Sequence, residues 1–146
     1  MEDSRSENIN VLDELHKGAC MGEDAISFVL DKVEDKSFRN ELKKEYDDYT
    51  KIAKRIEDIY PKYDDGNPHE TSVMNKAMTW YGIEMKTLLD ESNSKIAELL
   101  MNGVNMGIIE GRKILNNKKM DNEVREIAST YVTMQEKSVE RLKDYL

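Results

Sequence analysis

Apolar residues recur at helical spacing along most of the chain, and short polar stretches interrupt them. From Ile9 to Val33 the positions alternate three and four residues apart, which predicts a helix over about residues 6–34. This first stripe consists of Ile9, Leu12, His16, Ala19, Glu23, Ile26, Leu30 and Val33. A second stripe predicts a helix over about residues 38–60 and consists of Phe38, Leu42, Glu45, Tyr49, Ile52, Ile56 and Ile59.

The connections between helices follow from the polar stretches. Asp35-Lys36-Ser37 is so short that the first two helices must be antiparallel neighbours, and Ser37 is the expected N-cap of the second. The stretch from Pro61 to Pro68 is the clearest break in the chain, because its Pro, Gly, Asp and Asn residues favour turns. Further helices are predicted over about residues 70–89, 95–116 and 121–145, with Ser94 as the N-cap of the fourth.

Two stretches of the chain resemble each other. Gly18–Gly22 and Gly103–Gly107 share a Gly-x-x-Met-Gly pattern, and a similar helical run follows each of them. Leu30 then matches Leu115 and, after a slip of one residue, positions 38, 45 and 49 match positions 124, 131 and 135. This internal repeat predicts one helical hairpin used twice. Since glycine inside a helix costs roughly 1 kcal/mol relative to alanine, the matched glycines also predict a close approach of helix backbones.

These elements together predict the fold class. A single domain over residues 1–146 would contain a hairpin over 6–60, a crossover helix over 70–90 and a second hairpin over 94–146. A crossover helix of about twenty residues spans roughly 30 Å, which is close to the length of a bundle helix and returns the chain to the other end. We therefore predict an all-α protein of five helices, in which two antiparallel hairpins form an up-down-down-up four-helix bundle.

Composition narrows the partners. The net charge is −8 and basic residues are interleaved with acidic ones, so a basic face for nucleic acid is not expected. Cys20 is the single cysteine, which fits a reducing compartment and allows no intrachain disulfide. No apolar run approaches the roughly 20 residues of a membrane span, and the first residues are polar and acidic. We expect a cytoplasmic protein that binds neither nucleic acid nor membrane.

Polar residues on the two stripes are the candidates for chemistry. Glu23, Glu45 and Tyr49 fall at about the same height of the first hairpin, and a buried carboxylate needs a proton, a hydrogen-bond partner or a cation. One hypothesis is a carboxylate metal site for iron or manganese, with His16 as a further ligand. The alternatives are a hydrogen-bonded Glu–Tyr pair, or a rotated stripe that exposes Glu45 and buries Tyr46. The chain contains no Glu-x-x-His motif, which di-iron bundles use.

Other residues point to packing or to a pocket. Cys20 has no neighbouring base in the sequence that would activate it, so a buried structural thiol is expected. Trp80, Tyr81 and the nearby methionines would suit either an adaptable interface or the packing of the crossover helix. A pocket for a small ligand, lined by methionines between helices, is a third hypothesis for the function.

The chain resembles the ferritin-like four-helix-bundle proteins and, more narrowly, small bacterial ferritin-like domains of unknown function. The residues behind this resemblance are the run from Gly18 to Leu30 with the turn at 35–38, and the run from Ile96 to Leu115 followed by Glu123-Val124. The resemblance implies a long crossover and a homodimer as one mode of assembly. It also implies di-iron chemistry with oxygen or peroxide, for which Glu23 and Glu45 could occupy two ligand positions. The missing motifs mean that this activity is not carried over.

We therefore expect a non-catalytic ferritin-like helical bundle with an interaction or structural role and no cofactor. The alternative is a metal-binding oxidoreductase that uses iron or manganese at an incomplete site formed by Glu23, Glu45, Tyr49 and His16.

Overall fold

The computed structural model describes residues 2–68 and 76–146, except for the side chains of residues 2, 3 and 76–80. Within these ranges the chain forms five α-helices and two short 3₁₀ turns, so the predicted all-α class is confirmed. The helices are α1 (Glu2–Leu30), α2 (Lys36–Ile59), α3 (Lys76–Lys86), α4 (Asn93–Asn117) and α5 (Asn122–Leu142). The 3₁₀ turns are Tyr60–Lys62 and Lys143–Tyr145. None of the described helices is both long enough and apolar enough to cross a membrane.

Two predicted N-caps were wrong by two residues. Asp35, not Ser37, caps α2, because its Oδ1 accepts a hydrogen bond from the Phe38 backbone N–H at 2.8 Å. Ser92, not Ser94, caps α4 in the same way, by accepting from the backbone N–H of Lys95 at 3.2 Å. The Ser37 hydroxyl instead lies 2.8 Å from the hydroxyl of Tyr145, at the end of the chain.

The crossover helix differs from its prediction at the end that can be compared. α3 ends at Lys86 rather than near residue 89, because Thr87 to Glu91 leave the helix before the cap of α4. The described helix has 11 residues, which corresponds to roughly 16 Å. Residues 69–75 lie outside the described residues, and with them the predicted start of the helix. The side chains of Met78 and Trp80 are also outside the described part, so the role suggested for them stays a prediction.

Contacts along the helices fix the direction of each neighbour. Three pairs of helices run antiparallel, because along the contacts of each pair the residue numbers rise on one helix and fall on the other. The α1–α2 contacts are Asp13–Tyr60, His16–Glu57 and Glu23–Thr50. The α2–α5 contacts are Glu41–Arg141, Glu45–Ser138 and Arg55–Glu126. The α4–α5 contacts are Gly107–Gln135 and Gly111–Val132.

The core is filled from α1, α2, α4 and α5, and its burial tests the predicted stripes. On α2 every predicted position from Phe38 to Ile56 is buried, and Ile59 is partly buried. On α1 half of the predicted stripe is confirmed, since Leu12, Ala19, Ile26 and Val33 are buried. The other half is displaced by one residue, so that Asn8, Leu15 and Val29 are buried where Ile9, His16 and Leu30 were expected. Gly22 then takes the place of Glu23 on the inner face, since its Cα faces the ring of Tyr49. This displacement decides which polar residues reach the interior.

Candidate functional site

A cleft of about 620 Å³ lies between α1 and α4. Tyr49 and Glu45 of α2 and Tyr131 and Gln135 of α5 line its inner side, and Tyr81 of α3 lines one end. α1 contributes Glu14, Leu15, Lys17, Gly18, Met21, Gly22, Ala25 and Ile26. α4 contributes Leu100, Gly103, Val104, Met106, Gly107, Ile109, Glu110, Gly111 and Ile114. Because Glu14, Ile109 and Glu110 are exposed, the cleft opens to solvent beside them.

Glycines on α1 and α4 make room for the side chains that line the cleft. A Cβ at Gly22 would lie 2.6 Å from ring atoms of Tyr49, and one at Gly103 would lie 2.6 Å from the ring of Tyr81. A Cβ at Gly107 would lie 2.2 Å from the Gln135 amide nitrogen. The matched glycines were predicted to bring helix backbones together. They instead make room for aromatic and amide side chains from the facing helices. A larger residue at any of these positions would clash with those side chains.

The buried side chains of the inner wall form a polar network. The side-chain amide of Gln135 hydrogen-bonds the hydroxyls of Tyr49 and Tyr131. All three residues are less than 5% exposed, at 3%, 4% and 4%. Burial raises the pKa of Tyr49 to about 12, and it raises the pKa of Tyr131 as well. Both phenols are therefore neutral at physiological pH, and the network offers hydrogen bonds without charge.

Glu45 is the one carboxyl group of this wall and is 4% exposed. The Ser138 hydroxyl donates a hydrogen bond to Glu45 Oε1. Glu45 Oε2 and Gln135 Oε1 are buried without a hydrogen-bond partner among the described atoms. Burial is the main cause that raises the pKa of Glu45 to about 8. The hydrogen bond from Ser138 and the charge of Arg141 oppose this shift, whereas the neighbouring Glu41 adds to it. At neutral pH most molecules therefore carry a protonated Glu45. Glu45 Oε2 and Gln135 Oε1 are the two polar atoms of these lining residues without a described hydrogen-bond partner.

The four predicted metal ligands do not come together. Glu45 and Tyr49 line the cleft, whereas Glu23 and His16 are not among its lining residues. Glu23 accepts a hydrogen bond from the Thr50 hydroxyl at 2.8 Å, at an exposed contact. Among the described residues, no three His, Cys, Asp or Glu side chains lie together in a way that would hold a metal ion. The predicted clustering of Glu23 with Glu45 is wrong because the inner face of α1 passes through Gly22.

The alternative of a hydrogen-bonded pair of Glu45 and Tyr49 is also wrong. Glu45 takes its hydrogen bond from Ser138 of α5, and Tyr49 takes its own from Gln135 of the same helix. The rotated alternative, with Glu45 exposed and Tyr46 in its place, is wrong as well, since Tyr46 is only partly buried.

His16 and Cys20 form a separate, partly exposed contact. His16 Nε2 lies 3.3 Å from Glu57 Oε1, and its Nδ1 lies 3.8 Å from the sulfur of Cys20. Cys20 is half-buried rather than buried. Burial raises the pKa of the Cys20 thiol, and the negative charges of Glu23, Asp24 and Glu57 raise it further. A raised pKa keeps sulfur as the thiol, so this contact does not favour a nucleophile.

Tyr131 and Gln135 were not predicted from the sequence as members of a site. The signal was present in the repeat, because these positions match Glu45 and Tyr49 of the first hairpin. All four residues line the same cleft, together with the four matched glycines, Gly18, Gly22, Gly103 and Gly107. Tyr81 gave no such signal, since it lies on the crossover helix outside the repeat.

The chain was compared with models of protein families, with curated proteins and with solved structures, and no match was found in any of the three comparisons.

Proposed function

We propose that this protein is a non-catalytic helical bundle that binds a small, mainly apolar molecule in the cleft between α1 and α4. The cleft volume of about 620 Å³ carries this proposal. Ligand sites typically measure about 300–1,000 Å³ and combine apolar walls with a few well-placed polar groups. Protein interiors otherwise leave few voids larger than a water molecule, because a void loses packing contacts on all its sides.

The chemistry of the walls supports binding rather than catalysis. Apolar and aromatic residues surround a small polar group of Glu45, Tyr49, Tyr131 and Gln135, which are buried on the inner side. General acid–base catalysis would need a side chain whose pKa lies near the working pH and a second group that exchanges the proton with it. Glu45 has Ser138 as its hydrogen-bond donor and Glu41 as its charged neighbour, and Glu41 is held by Arg141. Hydrogen bonding to a ligand is the simpler use of this arrangement.

The ferritin-like arrangement belongs to the same proposal. Antiparallel contacts within both hairpins, and between α2 and α5, support an up-down-down-up bundle with α3 in the crossover. Matched contacts support the repeat: Arg39 donates to the Leu30 carbonyl oxygen, and Arg125 donates to that of Leu115 at 3.2 Å. In this proposal two similar hairpins enclose one cleft with their matched glycines.

The alternative of an iron or manganese oxidoreductase stays a prediction. Of its four residues, Glu45 alone combines burial with an oxygen that lacks a described partner. Because Glu23 is held by Thr50 at an exposed contact and does not line the cleft, we expect Glu23→Gln to leave the iron and manganese content unchanged. Elemental analysis of protein purified without a metal-affinity tag, from cells supplied with both metals, measures this. Near-stoichiometric metal that disappears in the variant would favour the oxidoreductase.

The binding proposal can be tested with a neutral apolar dye, N-phenyl-1-naphthylamine, whose fluorescence increases in an apolar site. We expect saturable binding of one dye per chain. Ala25→Phe places a ring in the cleft and should abolish the fluorescence increase, because Ala25 lines the cleft wall. Ser27→Phe is the matched control, since Ser27 is exposed on the same helix and is not a lining residue.

Met106→Trp fills the cleft from the opposite helix and provides a second variant, with circular dichroism verifying that each variant is folded. Equal dye binding by Ala25→Phe, Met106→Trp and Ser27→Phe would show that the dye binds elsewhere. That result, or the absence of dye binding to the unmodified protein, would overturn the proposal.

A further inference from the structure

Two polar oxygens of residues that line the cleft have no hydrogen-bond partner in the described part of the protein. Glu45 Oε2 and Gln135 Oε1 are both buried and lack partners among the described atoms, and both residues line the cleft. A buried acceptor without a hydrogen bond costs roughly 1–3 kcal/mol. A ligand that donates a hydrogen bond to such an acceptor removes this cost and so binds more tightly. Gln135 Oε1 is an acceptor at any pH, and Glu45 Oε2 becomes one when the carboxyl group loses its proton. Together they favour a ligand with N–H groups that can bind the ionised form of Glu45.

Aromatic side chains surround the same space. Tyr49, Tyr81 and Tyr131 come from three different helices and all line the cleft. The face of an aromatic ring carries partial negative charge and attracts cations, with about 0.5–2 kcal/mol for each favourable contact. A cleft lined by three tyrosines and a carboxyl group, of which Tyr49 lies close to Glu45, is the kind of site in which proteins bind organic ammonium groups.

The charge of the lining agrees with this. Its ionisable carboxyl groups are Glu14, Glu45 and Glu110, and Lys17 is the one basic residue among the described lining. The net charge of the whole chain is −8. An anionic ligand would meet repulsion on the way to such a cleft, whereas a cation would be attracted.

We propose that the ligand of this cleft is an organic ammonium ion with an apolar body, whose charged nitrogen lies against Glu45 and the tyrosine rings. This inference rests on the proposed function, because it names the ligand class of the same site. Ser138 holds the other oxygen of Glu45 in place, and the glycines of α1 and α4 make room for the tyrosine rings that line the cleft. The apolar body would lie among Met21, Val104 and Met106.

Binding of a cation then involves a proton. The pKa of Glu45 is raised to about 8 in the free protein, so at pH 7 a cation that binds the carboxylate displaces the proton from it. Affinity should rise with pH up to about 8 and level off above it. Charged groups near Glu45 are Glu41 on its own helix and Arg141 on α5. Glu14 and Lys17 of α1 and Glu110 of α4 line the cleft, as do the hydroxyls of Tyr81 and Tyr131, which stay neutral in this pH range.

The test compares 2-phenylethylammonium with the neutral 2-phenylethanol, which has a similar size and shape. Isothermal titration calorimetry or amide chemical shifts at pH 8.5 measure both affinities. We expect the ammonium ion to bind at least tenfold more tightly than the alcohol. Glu45→Gln should lower its affinity tenfold or more and leave that of the alcohol unchanged. Glu98→Gln is the matched control, because Glu98 is exposed on α4, pairs with Lys95 at 3.6 Å and does not line the cleft.

A second readout uses the proton. Between pH 8.5 and pH 6.5 the affinity for the ammonium ion should fall about tenfold or more in the unmodified protein and stay flat in Glu45→Gln. Equal affinity for the two compounds, or an unchanged affinity in Glu45→Gln, would overturn the ammonium inference. If N-phenyl-1-naphthylamine still bound in the cleft, the proposed function would stand without it. If neither the dye nor either compound bound, both would fall.

Discussion

Replacement of Glu45 by glutamine should stabilise the protein at neutral pH, although it removes one member of a buried hydrogen bond. The folded protein raises the pKa of this carboxyl group from 4.5 to about 8. Folding therefore favours the protonated form, and its full contribution to stability is present below pH 4.5. That contribution is lost as the pH rises through 8, by about 5 kcal/mol in total at 1.36 kcal/mol for each pH unit. At pH 7 about 3 kcal/mol has been lost.

Glutamine cannot ionise, so the variant does not suffer this loss. The Ser138 hydroxyl can still donate to the amide oxygen, whereas the amide nitrogen takes the place of the unpartnered Oε2 at a cost of roughly 1–3 kcal/mol. We expect the free energy of unfolding of Glu45→Gln to fall below that of the unmodified protein at pH 5, to match or exceed it at pH 7 and to exceed it clearly at pH 8.

Urea unfolding followed by circular dichroism at pH 5, 6, 7 and 8 measures this difference for both proteins. The difference should grow by about 1 kcal/mol with each pH unit, because other titrating groups are common to both chains and cancel. Glu98→Gln should show no such trend, since Glu98 is exposed. A difference between Glu45→Gln and the unmodified protein that stays constant from pH 5 to pH 8 would refute the burial of an unpaired carboxyl group.

Two further predictions concern packing. Gly22→Ala should destabilise the protein by about 1–3 kcal/mol, because the new Cβ would lie 2.6 Å from the ring of Tyr49. Gly82→Ala should instead stabilise it by up to about 1 kcal/mol, because no described atom lies within 4 Å of the new Cβ. Equal melting temperatures for the two variants would contradict the packing of Tyr49 against α1. Tyr60→Phe should cost about 1–3 kcal/mol in urea unfolding, because the Tyr60 hydroxyl donates to the buried Asp13 at 2.8 Å; a loss below 0.5 kcal/mol would show that other partners of Asp13 suffice.

Sequence patterns predicted α2 well and α1 less well, for a physical reason. On α2 the buried large apolar residues from Phe38 to Ile56 share one face, so a single stripe fits the pattern. On α1 apolar residues cover both the side toward α2 and the side toward α4, and two stripes displaced by one residue fit the spacing about equally. The prediction followed the stripe through Glu23, since glycine offers no side chain to bury. In the structure Gly22 is the inner residue because the ring of Tyr49 needs its space.

The cleft itself could not be read from periodicity. Whether a space between two helices is filled or open depends on where facing side chains lie, and spacing along one helix says nothing about that. The repeat nevertheless held a usable signal: Glu45 and Tyr49 in the first hairpin occupy the positions of Tyr131 and Gln135 in the second, and all four residues meet at one wall. A carboxyl group opposite a phenol at matched positions indicates a shared polar site rather than two separate cores.

The choice of residue at position 45 bears on whether that site serves function or only structure. A bundle selected for stability alone would gain from glutamine or an apolar residue there, because a carboxyl group with a pKa near 8 weakens the fold over the whole neutral range. Proteins tend to keep such costly groups where they meet a ligand or take part in chemistry. The proposed cationic ligand accounts together for the oxygen of Glu45 without a described partner, for the tyrosines that line the cleft and for the cleft itself, because it would supply the partner of the ionised carboxyl group.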